Sequence, residues 1–262
     1  MSDALPIALH AERRGSGPPL ILIHGGVGSS NHWVRNIRPL SEHFSVFAFD
    51  MPGFGRSPSV PKDINRDDYL RLCVAGIGAA VPDDEPLYLV GFSFGGVVGA
   101  HVAAEFGDRM AKVSLLAPGG IKSVREHEPD YEKMPPRDAP EAERRAVIRR
   151  NLLRLMLHHP ESAADEAIDL QAENIRNTRF PSIRVSRGEY LLDDLRRIRC
   201  PVQILLAEHD TKIYPSHEQR IAYMRQAADF RVDIIPDAGH WMQFERAEAV
   251  NRALIDFLTR GG

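Results

Sequence analysis

The chain has 262 residues, of which 43% are hydrophobic and 26% charged, enough apolar material to bury one sizeable core and too much for a disordered polymer. A net charge of -3 and a pI near 6.4 argue against nucleic acid or an anionic membrane as the main partner. Cys73 and Cys200 form neither a metal-type cluster nor a disulfide framework, which fits a reducing compartment. Residues 1–10 lack a basic n-region and a long apolar core, and no apolar run of about 18 residues occurs, so a cytoplasmic protein is expected.

In chain order, residues 7–14 suit a short strand. Gly15-Ser16-Gly17-Pro18-Pro19 is a turn cluster leading into Leu20-Ile21-Leu22-Ile23, a continuous apolar run of the kind found in buried parallel strands. His24-Gly25-Gly26-Val27-Gly28-Ser29-Ser30 follows. Glycine at the C-terminal end of a strand lets backbone N–H groups approach a ligand, whereas a phosphate loop would need a terminal G-K-[S/T], which is missing. The next run, 44–49, ends in Asp50-Met51-Pro52-Gly53-Phe54-Gly55-Arg56-Ser57. A helix is predicted over 66–80, a strand over 87–90, a helix after residue 93 closed by Gly107 in a left-handed cap, and a strand over 113–116. The alternation predicts an α/β fold with a mostly parallel central sheet flanked by helices.

After Ala117-Pro118-Gly119-Gly120, prolines punctuate a polar stretch and helical patterns take over. Ile148, Leu152, Leu155 and Met156 mark one apolar face, and further helices are predicted over 162–176 and 187–195. The expected organisation is a core of residues 1–120 and 200–262 with a helical cap inserted at 121–199. Arg144, Arg145, Arg149, Arg150 and Arg154 on one cap helix read as a solvated face rather than an anion-recognition patch. A strand at 202–206 leads into Glu208-His209-Asp210, a last strand at 230–235 into Pro236-Asp237-Ala238-Gly239-His240, and an amphipathic helix closes the chain.

The functional signal centres on Gly91-Phe92-Ser93-Phe94-Gly95. A strand that reverses into a helix at one residue strains that residue's backbone and lifts its side chain clear of the sheet, which makes Ser93 a candidate nucleophile. Gly91 and Gly95 are expected to face each other across the turn, where a Cβ on either would crowd the other. A serine hydroxyl needs a base within hydrogen-bond reach and a carboxylate to orient that base. Asp210 and His240, each just beyond a strand, supply them in the order Ser, Asp, His; Glu208 is the rival carboxylate.

Together, His24-Gly25-Gly26, the Asp50 to Ser57 segment, the elbow and Gly239-His240 give the chain a resemblance to the α/β-hydrolase superfamily. The segment His240-Trp241-Met242-Gln243-Phe244-Glu245 is similar to the one following the catalytic histidine in carbon–carbon bond hydrolases of meta-cleavage products, and the chain also resembles carboxylesterases. The resemblance implies an oxyanion hole from the backbone N–H groups of Gly26 and Phe94. It also implies a cofactor-free serine hydrolase that forms an acyl-enzyme on a small carboxylic ester or an activated carbon–carbon bond. An acyltransferase or lyase on the same triad, and a non-catalytic receptor of the same fold, are the alternatives.

Phe92 and Trp241 are expected to contact substrate, with Phe94 and Phe244 extending an aromatic pocket. Members of the carbon–carbon hydrolase group carry asparagine where this chain has Phe92, and a cap arginine that binds the substrate carboxylate. Glu173 aligns with that arginine, leaving Arg176 or Arg179 as substitutes. No metal is expected. The expected partner is a small-molecule substrate, with no nucleic acid and no membrane; a homodimer is compatible with the sequence.

Overall fold

The structure, a computed structural model, describes residues 7–121, 131–212 and 216–260. Among these residues seven strands form one sheet: β1 (Ala11–Arg14), β2 (Pro19–Ile23), β3 (Ser45–Phe49), β4 (Leu87–Phe92), β5 (Met110–Leu116), β6 (Val202–Ala207) and β7 (Arg231–Ile235). Their spatial order is β1-β3-β2-β4-β5-β6-β7. Only the β1–β3 pair is antiparallel, with Ala11 opposite Phe49.

Continuous apolar strands arise because both faces are covered. Successive side chains of β2 point to opposite faces, so Ile21 and Ile23 enter one core and Leu20 and Leu22 the other. All four are fully buried, each stabilising the fold by about 1.5–3 kcal/mol. The described residues form ten α-helices: α1 (Ile37–Leu40), α2 (Arg66–Gly78), α3 (Phe94–Phe106), α4 (Glu141–Leu155), α5 (Asp165–Asn177), α6 (Ile183–Ser186), α7 (Leu191–Arg197), α8 (His217–Arg225), α9 (Met242–Glu245) and α10 (Ala247–Thr259). Leu70, Cys73 and Ile77 of α2, Val97, Val98 and Ala100 of α3, and Leu191, Leu192 and Leu195 of α7 fill one face. Val250, Leu254 and Leu258 of α10 fill the other, joined by Ile148 and Leu152 of α4.

Between β5 and β6 every described element is helical, and no described helix is long and apolar enough to cross a membrane. Helix α7 lies inside the expected cap range, yet its leucines pack with the elbow helix α3 against the sheet, so the sheet layer resumes before residue 199. The helix predicted from 187 starts at Leu191 because Gly188 takes a φ of 121°. Gly107 closes α3 with φ 54° and ψ -122°, a glycine conformation but not the left-handed helical one, and the chain makes a tight turn over Gly107–Arg109 before entering β5.

The arginines of α4 reach across to neighbouring segments. Arg145 pairs with Asp165 and Asp169 of α5, and Arg150 grips Glu132 at 2.7 and 2.8 Å. Exposed pairs of this kind are worth at most about 1 kcal/mol each.

Candidate active site

The loops after β2, β3, β4, β5, β6 and β7 all leave the same sheet edge, where the carboxyl ends of parallel strands leave a crevice. Ser93 sits at the sharp turn from β4 into α3 with φ 54° and ψ -111°. Its N–H donates to Leu116 O at 2.8 Å, and its carbonyl accepts from Gly96 and Gly119 at 3.0 and 3.1 Å. These bonds hold a strained backbone in place. A Cβ on Gly91 would lie 2.2 Å from the Gly95 carbonyl, as expected of this turn. One on Gly95 would instead strike the carbonyls of Ile23 and His24 at 2.3 and 2.4 Å, so the second glycine serves the fit of α3 against β2.

The turn brings Ser93 Oγ to 3.0 Å from His240 Nε2, and His240 Nδ1 lies 2.7 Å from Asp210 Oδ2. The carboxylate accepts, so Nδ1 carries the proton and Nε2 is free to accept from the serine. Lys212 N donates to the other oxygen of Asp210 at 2.8 Å. His240 is 3% exposed and Asp210 6%. Burial pushes the His240 imidazole below its ordinary range, and the charges of Lys212 and Arg220 add to that, while Asp210 opposes it. Burial works to raise the Asp210 carboxyl, but His240 and Lys212 together hold it below its usual value. Glu208, the rival carboxylate, accepts from Asp237 N at 2.8 Å and does not contact His240.

A cavity of about 770 Å³ opens above Ser93. Gly26, Phe92 and Phe94 line it beside Ser93, Asp210 and His240. Trp241 does not. It is fully buried, stacked on Phe244 with ring centres 4.3 Å apart, and its indole N–H donates to His32 O at 3.2 Å. Tight packing has taken that ring into the core, and Phe244 with it. Of the four described non-glycine residues with positive φ, Val27, Ser93 and Ala117 line the cavity, so local strain concentrates there.

Leu155 and Met156 complete the α4 stripe by facing this cavity, whereas Ile148 and Leu152 face the core. Glu173, Arg176 and Arg179 are all outside the lining. The Arg179 guanidinium is spent on Ser59 Oγ at 2.9 Å and on the carbonyls of Gly55, Ser57 and Asn177, which fastens the segment after α5 to the loop after β3. The cations that do line the cavity are Arg187, Lys212 and Arg220. Sequence patterning missed them. The one available signal was Arg220 placed four residues before the core residue Met224, which puts it on the inward face of α8.

Two buried histidines frame the loop after β2. Met51 N donates to His24 Nε2 at 3.0 Å, which leaves Nδ1–H to donate to Gly25 O at 2.7 Å. Gly25 N donates to His32 Nδ1 at 3.2 Å. Burial first, and then neighbouring charge, drives His32 well below the imidazole range. Burial also lowers His24.

Glu245, 7% exposed, accepts from Gly239 N at 2.6 Å, His158 N at 2.9 Å and His159 N at 2.8 Å. Trp241 N donates to Met156 O at 2.7 Å. The loop carrying His240 is therefore bound to the chain leaving α4. Among the described residues, His158, His159 and Asp237 form the one cluster with metal-ligand potential; there His159 Nε2 lies 2.9 Å from Asp237 Oδ1, and the Arg246 guanidinium contacts both side chains.

A serine on a strained strand-to-helix turn, with a histidine and an aspartate on later strand loops, defines the nucleophile-elbow class of α/β folds. The alpha/beta hydrolase family model matches residues 20–253, and the chain belongs to this family. A 2-hydroxy-6-oxo-6-phenylhexa-2,4-dienoate hydrolase of Comamonas testosteroni is 26% identical over 270 residues, spanning 98% of this chain and 93% of the relative. A meta-cleavage product hydrolase (CumD) from Pseudomonas fluorescens IP01 shares the fold with a TM-score of 0.73 and 22% identity, over 95% and 93% of the two chains. A thermophilic esterase from Thermogutta terrifontis shares it with a TM-score of 0.71 and 23% identity, over 98% and 95%.

Proposed function

We propose that the protein is a serine hydrolase working through an acyl-enzyme on a small carboxylic ester or an activated carbon–carbon bond. The observation that carries this reading is the 3.0 Å approach of Ser93 Oγ to His240 Nε2, with Asp210 fixing the opposite ring nitrogen. In the first half-reaction Ser93 Oγ attacks the carbonyl carbon and its proton passes to His240 Nε2. The backbone N–H groups of Gly26 and Phe94 take the developing oxyanion, a donor of this kind being worth roughly 3–4 kcal/mol. Collapse expels the leaving group, which takes the proton from His240. Water then attacks the acyl carbon, gives one proton to His240 and releases the acid as Ser93 recovers its proton.

The helical segment between β5 and β6 acts as a cap, since Leu155, Met156, Ser182 and Ile183 close the cavity from that side. The relatives named as dienoate hydrolases support the carbon–carbon reading, and the esterase neighbour supports the ester. The test is turnover of a short-chain p-nitrophenyl ester and of a vinylogous 1,5-diketone acid, with fluorophosphonate labelling of the protein. Both turnover of at least one substrate and labelling are expected, and Ser93→Ala should lower kcat on the order of 10⁶-fold and abolish labelling. A chain that neither labels nor turns over either substrate is not a serine hydrolase.

A further inference from the structure

We infer that the hydroxyl of Ser182, carried by the cap, is a third donor to the oxyanion beside the backbone N–H groups of Gly26 and Phe94; the inference rests on the hydrolytic reading above and deepens it. A Cβ added to Gly26 would strike Ser182 Oγ and would lie 3.2 Å from Ser182 Cβ and 3.8 Å from Phe94 Cβ. One face of Gly26 is therefore shared by a cap serine and by the residue that opens the elbow helix. Gly26, Ser93, Phe94 and Ser182 line the same cavity. Glycine at position 26 makes room for the cap hydroxyl as well as for a ligand.

That hydroxyl is uncommitted. Three side-chain hydroxyls line the cavity, those of Ser93, Ser182 and Ser186. Ser93 Oγ faces His240, and Ser186 Oγ donates to Ser182 O at 3.2 Å. Ser182 directly precedes α6, where a serine ordinarily spends its oxygen on the amides of the first turn, yet its side chain makes no such bond. Its backbone serves the helix instead, since Ser182 O accepts from Val185 N and Ser186 N, both at 3.0 Å. Among the described residues Ser182 Oγ has no hydrogen-bond partner, and the residue is half-buried.

The turn that carries Ser182 is fastened on both sides. Before it, the buried Phe180 ring stacks on Tyr69 with centres 4.0 Å apart, and Arg179 N donates to Gly53 O at 2.8 Å. After it, Gly120 N donates to Ser186 O at 2.9 Å. A donor held in place before charge develops needs little reorganisation, which is what an oxyanion hole requires. As Ser93 Oγ bonds to the carbonyl carbon, the C=O electron pair moves onto oxygen, and Ser182 O–H donates to that oxygen while keeping its proton. The hydrogen bond relaxes when the carbonyl re-forms and the leaving group departs.

The variants that test this are Ser182→Ala and Ser182→Cys, the second filling the serine's space with a weak donor. On whichever of the ester and the diketone acid the wild type turns over, both should lower kcat/KM roughly 10²-fold. An alkyl trifluoromethyl ketone forms a hemiketal with Ser93 that carries the same oxyanion, so its protection of Ser93 against fluorophosphonate labelling should weaken by a similar factor. Adding Ser182→Ala to the Ser93→Ala protein should change its calorimetric affinity for intact substrate by less than about twofold. Ketone protection and kcat/KM within about threefold of wild type in Ser182→Ala would overturn the inference. Recovery of both by Ser182→Cys would assign Ser182 to packing, and an equal loss of substrate and ketone affinity would assign it to ground-state binding; each overturns the inference. Wild-type turnover that Ser182→Ala leaves unmoved removes this inference alone. A wild type that turns over neither substrate and does not label removes the hydrolytic reading and this inference with it.

Discussion

In the proposed mechanism His240 must be neutral to accept a proton from Ser93, and its imidazole is held below the ordinary value of about 6.5. The neutral form therefore persists below that pH, and kcat/KM for a neutral ester should fall only as pH drops through the lowered value. Removing a positive neighbour raises the imidazole, so Lys212→Met should move this acid limb to higher pH; an unmoved limb would show that Lys212 does not act on His240. Asp210→Asn keeps the shape but favours the wrong tautomer, and a kcat loss on the order of 10⁴ is expected. The Ser93, Asp210 and His240 side chains were legible in the sequence because each stands at or within a few residues of a strand's end, in a turn signature of its own. Lys212 and Arg220 were not, because a cation turned inward from α8 looks the same in a sequence as one turned outward.

At the level of elements, the exit from α4 and the loop bearing His240 share one set of hydrogen bonds, centred on Glu245. Replacing Glu245 by alanine removes the acceptor of three N–H groups, of which that of Gly239 is buried and those of His158 and His159 partly so, and should destabilise the fold by about 2 kcal/mol, lowering Tm by roughly 4–8 °C. Gly239→Ala would push a methyl to 2.7 Å from His158 N and 2.8 Å from Met156 O, both backbone atoms. Its expected signature in steady-state kinetics is a lower kcat, because the strain falls on the residue next to His240. The positions of β2 and β4 were readable from apolar runs, since both strands are buried on both faces and carry no charged residue. Helix ends in the segment between β5 and β6 were less so. The pattern predicted helix from 162, but the chain makes a tight turn at Pro160–Ser162 and Ala163 carries a ψ of 49°, so α5 starts at Asp165.

Over the whole molecule, His24, His32 and His240 are buried with lowered proton affinity. A depressed imidazole pKa in the folded state means that the unfolded chain binds more protons below about pH 6.5, so stability is fully present above that value and declines beneath it. Each histidine contributes up to about 1.4 kcal/mol per pH unit, and the urea midpoint should fall clearly between about pH 7.5 and about pH 5.5. An unchanged midpoint would mean that these rings are protonated in the native state. The α/β architecture was legible because strand and helix signals alternate over most of the chain. The position of α7 was not, since an amphipathic helix in sequence does not declare which of two neighbouring layers it covers.

The Glu245 contact also sets a rule for protein engineering. Its two partners on the helical segment, His158 and His159, take part through backbone N–H groups, so their side chains are not what the carboxylate reads. A foreign helical segment grafted between β5 and β6 should keep the Glu245 contact whatever its side chains there, provided its main chain follows the same path past Gly239. A graft whose exit runs elsewhere would leave the donor side of that junction empty and release the turn that aims the histidine.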